Sequence, residues 1–179
     1  MYVRFDGVPE KPGVLIPLSA GETGTDETVD VMRVLTRKSL MDPATKTAAV
    51  KIAQAVRPND VDGYLRAVWK GVRDKMLYVP DYHKTEELTS PAIHSRRILS
   101  GGRSWGDCDD FSMLGAAWLI SLGVPARFEV VASPKNGGAF DHVRTAGLTK
   151  NGWVTLETTM RRVPFGGEVP NLRRKVYAI

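Results

Sequence analysis

The sequence predicts an α+β domain, on two observations. Apolar residues recur at three- and four-residue intervals through much of 42–122, the spacing of helices with one buried face. Three runs of strand-forming residues then follow one another, ARFEVVAS, DHVRTAGLT and GWVTLETT, with turn residues between them. Helices and strands segregated along a chain in this way are the signature of the α+β class. At 179 residues, 42% hydrophobic and 25% charged, the chain is long enough to bury one core and is expected to form one domain.

Residues 1–41 carry Gly, Pro and Thr between short apolar runs (MYVRF, VLIPL, VDVMRVL), which predicts an extended N-terminal arm laid on the main body. The core domain is expected over 42–160. Its first helix opens at Asp42, an N-cap with Pro43 in the first helical position, and stops before Pro58. A second helix runs from Asp60 or Asp62 to about Tyr78, with Leu65, Val68, Trp69, Val72 and Met76 on one face. The stretch 79–104 reads as a long connection with one helical turn near 94–99. From Cys108, the spacing of Phe111, Leu114, Trp118 and Leu122 predicts a third helix, ended by Gly123 and Pro125. The last two strand runs, separated by Lys150 and Asn151 ahead of Gly152, predict an antiparallel hairpin. Residues 161–179 form a Gly- and Pro-broken tail outside the core, with KVYAI as a short edge strand.

Composition narrows the classes of function. No window approaches the ~18 apolar residues of a membrane helix, and the first residues lack the layout of a secretory signal, so a soluble cytoplasmic protein is expected, with no membrane partner. The net charge of +5 is spread along the chain, and its clearest clusters, Arg161–Arg162 and Arg173–Lys175, lack the interleaved aromatics of a nucleic-acid groove, so nucleic acid is not the expected partner. A single cysteine rules out an internal disulfide and a four-thiolate zinc site within one chain. A site of Cys108, Asp109, Asp110 and His142 fails as a metal site because consecutive aspartates at a helix start diverge, so no metal and no cofactor is expected.

The residues that could carry chemistry converge on Cys108. At the start of a helix, unpaired N–H groups and the macrodipole favour a thiolate. Asp109 and Asp110 oppose this with negative charge and require a cationic partner. His142 opens one strand of the predicted hairpin and Glu157 ends the other, so pairing could bring them side by side, His142 as base and Glu157 as its orienter. Asp141, one residue away, would face the opposite side. His83 and His94 read as loop residues without a task, Trp69, Trp118 and Trp153 as core anchors, and Trp105 as the aromatic facing a cleft.

Three segments together resemble a known family. GDCDDFSMLGAAWLISLGVPARFEVV is similar to the Cys-bearing helix and first strand of the transglutaminase-like superfamily of papain-type thiol enzymes, FDHVRTAGL to its histidine strand and NGWVTLETT to its tryptophan-and-acid strand. The Cys-Asp-Asp at the helix start looks like the small phage and prophage forms, and the resemblance covers roughly 60–159. It implies a Cys-bearing helix packed centrally on an antiparallel sheet, with Cys108 as nucleophile, His142 as base and Glu157 where the family usually has aspartate. It further implies a thiol-dependent amide hydrolase or acyl transferase acting on a protein or peptide, with water and amine both open as acceptors. Trp105, Tyr82 and His83 are the candidates for a second oxyanion donor. A different class of function stays open beside the enzyme: a structural or accessory component of a phage head or tail, partnered by other phage structural proteins and carried in the virion.

Overall fold

The structure is a computed structural model, and it describes residues 13–16, 19–81 and 86–179. It is α+β, with elements in the order β1 (Val14–Ile16), α1 (Gly21–Ser39), α2 (Pro43–Ile52), α3 (Val61–Lys75), β2 (Met76–Tyr78), β3 (Glu86–Leu88), α4 (Pro91–Leu99), β4 (Ser104–Gly106), α5 (Cys108–Ser121), β5 (Ala126–Ala132), β6 (His142–Thr149), β7 (Gly152–Leu156) and β8 (Arg173–Ala178). The last four strands make an antiparallel sheet in the order β7-β6-β5-β8. Among the described residues, no helix is long and apolar enough to cross a membrane.

Helix α5 lies on one face of this sheet and touches α1, α2, α3 and α4 as well. Every residue from Asp109 to Leu119 is buried, so the helix is surrounded rather than one-sided. Two hydrogen bonds rivet it to β6: Ser112 Oγ donates to the Val143 carbonyl at 3.1 Å, and Thr145 Oγ1 donates to the Ser112 carbonyl at 2.6 Å. Gly147 completes the contact, because a Cβ there would stand 3.1 Å from Leu119 Cδ1 and 3.2 Å from Leu65 Cδ1.

The other face of the sheet carries charge. Arg144 is 1% exposed and reaches Glu129 across the β5–β6 pair at 3.2 Å and Glu168 at 2.9 Å. Arg127 and Arg174 also bond Glu129. The 161–172 segment, which supplies Glu168, therefore covers this face.

Several elements match their sequence signals. Asp42 caps α2 by accepting from the Ala44 N–H at 2.9 Å, and Asp60 caps α3 through Gly63. The β6–β7 hairpin turns at Lys150–Asn151, as its residues predict.

Other expectations are corrected. Residues 21–39, read as part of an extended arm, form a 19-residue helix. Its Val29, Met32, Thr36 and Ser39 recur at helical spacing and bury against the core, and that packing outweighs the low helix propensity of its Gly, Thr and Val residues. The tail is not outside the core: β8 pairs with β5 along Arg173–Ala178 and is tied back to α1 by Lys175 to Asp26 at 2.6 Å, by Tyr177 to Asp26 and by Arg173 to Glu22. The second helix stops at Lys75, because Met76–Tyr78 turns extended to pair in parallel with Ser104–Gly106. The connection 79–104 holds β3 and the nine-residue α4 rather than one turn. Trp153 is no core anchor: it is 39% exposed, with the Arg127 guanidinium stacked 4.3 Å from its ring centre.

Candidate active site

The site forms where the start of α5 meets the starts of β6 and β3. Gly106 is required just before the helix, since a Cβ there would lie 2.0 Å from Asp110 Oδ2. Asp107 then takes the N-cap position and its carbonyl accepts from the Phe111 N–H at 3.1 Å, so Cys108 is the first helical residue. Its half-buried sulfur receives a hydrogen bond from the Val143 backbone N–H and lies 3.6 Å from Asp109 Oδ1.

The balance of forces on that sulfur runs against the expectation from the helix start alone. Burial pushes the Cys108 thiol well above its ordinary range, and the charges of Asp109 and Asp107 add to this, while the Val143 N–H opposes them. These influences favour the neutral thiol over the thiolate.

His142 opens β6 opposite Val131. Its Nε2 stands 2.8 Å from Glu157 Oε2, and both side chains are buried. Glu157 follows β7 directly, and the backbone there turns so that the Thr159 and Met160 N–H groups donate to Oε1 at 3.0 and 3.1 Å. Burial alone would raise this carboxyl, but the hydrogen bond and charge of His142, together with the two N–H donors, hold it below its ordinary range. The longer side chain of Glu is accommodated by this turn. Nε2 is thus the ring nitrogen that Glu157 engages.

Helix α3 supplies the anchor beneath. The Trp69 indole N–H donates to the Glu157 carbonyl at 2.8 Å. The buried Arg73 guanidinium donates to the carbonyls of Glu157, Met160 and Val163 at 3.2, 3.4 and 2.9 Å, and to that of Arg161. The turn that carries Glu157 is thus pinned from below by two side chains of one helix face.

Cys108 and His142 line one cavity of 640 Å³, walled on the far side by Gly24, Thr25 and Thr28 of α1 and by Phe140 of the loop before β6. Asp141 also lines it, but its carboxylate is spent on the Ser133 N–H at 2.8 Å and the Ser133 hydroxyl at 2.5 Å. Trp105 does not line this cavity; the Arg97 guanidinium stacks on its ring at 4.0 Å. Tyr82 and His83 lie outside the described residues.

Two participants escaped the sequence. His94 is no loop residue: it sits in α4, fully buried, with Nδ1 2.7 Å from Ser104 Oγ and Nε2 3.4 Å from Asp110 Oδ1. Asp110 also accepts from the Thr89 N–H at 2.8 Å, so it braces the start of α5 against α4 and the β3–α4 turn. Glu86, from β3, lines the cavity beside Asp109, and its charge is among the influences that raise the Asp109 carboxyl. A lone His in a helix and a Glu in a three-residue strand carry no pattern that marks them. Asp81, Glu86 and Asp107 bring one carboxylate oxygen each within 4.8 Å of one another, but Asp81 already accepts from the Glu87 N–H at 2.5 Å, and we assign no ion to them.

No family model matches the chain, and no curated protein does. Among solved structures, it is similar to a protein from Cytophaga hutchinsonii provisionally described as a cysteine protease, at 19% identity and a TM-score of 0.49, over 79% of this chain and 50% of that one. It is also similar to a protein from Parabacteroides distasonis provisionally described as a protease, at 11% identity and a TM-score of 0.50, over 82% of this chain and 28% of that one. The chain therefore spans half or less of the length of these structures, and the second likeness is one of fold.

Proposed function

We propose that the chain is a thiol-dependent amide hydrolase or acyl transferase with a transglutaminase-like core, in which Cys108 is the nucleophile, His142 the base and Glu157 the group that orients the imidazole. The observation that carries the reading is the 2.8 Å bond from Glu157 to His142 Nε2, which leaves Nδ1 for the sulfur of the same cavity. The shared fold with a protein described as a protease supports it.

Because the resting sulfur is a thiol, His142 acts as a general base during attack rather than as half of a standing ion pair. Sulfur adds to the amide carbonyl as its proton passes to the imidazole. The negative oxygen is met by first-turn N–H groups of α5, the proton returns to the leaving amine, and a thioester remains for water or an amine to resolve.

As Cys108 is the single cysteine, any thiol label reports on it alone. Iodoacetamide alkylation followed against pH should be about 10-fold or more slower at pH 7 in His142→Ala than in the wild type. A profile unchanged by the substitution removes the enzyme reading. One observation favours a second reading, a non-catalytic scaffold such as a phage structural component: the carboxylates crowding the sulfur push the thiol up. A thiol inert across the pH range, with or without His142, is the outcome that reading expects.

A further inference from the structure

One side chain in the cavity wall joins two of its edges, and the mechanism above gives it no part. One edge is the start of α1, with Gly21 and Glu22, and the other is the loop before β6, with Gly137, Gly138 and Phe140. Arg173, the first residue of β8, reaches both. Its Nη2 donates to Glu22 Oε1 at 2.5 Å, its Nη1 donates to the Gly138 carbonyl at 3.4 Å, and its guanidinium lies 4.8 Å from the Phe140 ring centre. The Arg173 and Glu22 side chains are 51% and 54% exposed, whereas His142 is 8% exposed. The ion pair is therefore at the solvent end of the cavity and the imidazole at its inner end.

The two edges are built to leave a gap between them. Gly21, Gly137 and Gly138 have φ of +69°, +60° and +87°, and a Cβ on any of them would meet nothing within 4 Å. Glycine is favoured there by backbone conformation, and bare backbone borders open space. The Arg173 backbone is fixed by its pairing with Ala132, and the Leu172 N–H donates to the Ala132 carbonyl at 2.9 Å. The guanidinium can thus leave its partners while the strand stays in place. An exposed ion pair, a long hydrogen bond and an exposed cation–π contact are each weak and add little to the fold, so together they make a reversible tie.

We propose that Arg173 is a specificity-determining residue, a clasp that ties α1 to the 137–140 loop across the mouth of the cavity. It admits to Cys108 only substrates that are slender around the scissile amide, such as an extended chain segment or a free chain end. The role rests on the proposed one of Cys108 as nucleophile.

The test alkylates the single thiol with two uncharged reagents that share one reacting group, iodoacetamide and an iodoacetamide bearing a pyrene ring. The quantity read is the ratio of the pyrene rate to the small-reagent rate, in which any change in the sulfur's own reactivity cancels. Arg173→Gln should raise this ratio about tenfold, and Glu22→Gln, which leaves β8 and its arginine untouched, about threefold. Salt at about 1 M should raise the wild-type ratio by screening the pair and leave that of Arg173→Gln unmoved. A ratio that stays unmoved in Arg173→Gln or in Glu22→Gln overturns the proposal. So does an equal acceleration of both reagents, which would place the effect of Arg173 on the sulfur and not on the opening, and so does a sulfur that neither reagent reaches. His142→Ala separates this inference from the enzyme reading, since it should slow both reagents together and leave the ratio as it was. If the base role fails, His142→Ala changes neither rate while Arg173→Gln still shifts the ratio; if only the clasp fails, the reverse holds.

Discussion

The two sides of the cavity hold their acids in opposite states. On the histidine side, Glu157 is ionised, fully buried and saturated, with two backbone donors and an imidazole on its oxygens. On the cysteine side, Asp109 is buried with another carboxyl as its partner and more acids nearby, and it is pushed toward the neutral form. The difference teaches that a carboxyl group's task at a site follows from its donors rather than from its residue type. Where N–H groups converge, the charged form is favoured; where other acids converge, the neutral form is favoured.

The largest expected effect comes from loosening the histidine side from beneath. Arg73→Ala leaves the carbonyls of the 157–163 turn without their buried donor and should cost about 3 kcal/mol in urea unfolding. If stability is unchanged, the turn is not held by α3 and Glu157 loses its stated support.

An intermediate effect separates the two acids by the sign of their pH dependence. Glu157 is depressed in the folded state, so the stability it contributes is present above its ordinary carboxylate range and is lost as pH falls through its folded value. Asp109 is raised, so its contribution is complete at low pH and is lost as pH rises from its ordinary range toward its folded value. Unfolding followed from pH 3 to 7 should therefore show Glu157→Gln flattening a rise and Asp109→Asn flattening a fall, each on the order of 1 kcal/mol. Slopes of the same sign in both variants would erase the contrast between the two sides.

The smallest effect lies at the rim. Glu22 and Arg173 are both about half exposed, and Glu22→Gln should change thermal stability by no more than about 0.5 kcal/mol. A larger loss would mean that α1 is held on the cleft by charge rather than by Val29 and Met32.

Much of this was legible in the chain, and what was not has identifiable causes. The caps at Asp42 and Asp60, the helix from Cys108 and the 142–156 hairpin are written in local residue types whose preference agrees with the packing. Helix α1 was not legible, because Val29 and Met32 are the only large apolar residues on its buried face and the β-branched Thr28, Val29 and Thr36 favour extended chain until α5 stands behind them. Met76–Tyr78 continued a helical pattern and yielded to a strand 28 residues away that no local signal announces. At the site, Cys108, His142 and Glu157 were singled out by position at the starts and ends of elements. Glu86, His94 and Arg73 were not, since each acts through a partner fixed only by tertiary structure.

The seam between α1 and β8 has a consequence for how the protein comes into being. Asp26 meets Lys175 and Tyr177 across about 150 positions of sequence, and α1 forms the far wall of the cavity. During N-to-C synthesis, Cys108, His142 and Glu157 all leave the ribosome before β8 does, yet the strand that fastens that wall is still to come. A nascent chain would hold Cys108 behind an unfastened wall, and the shape of the cleft would be set last.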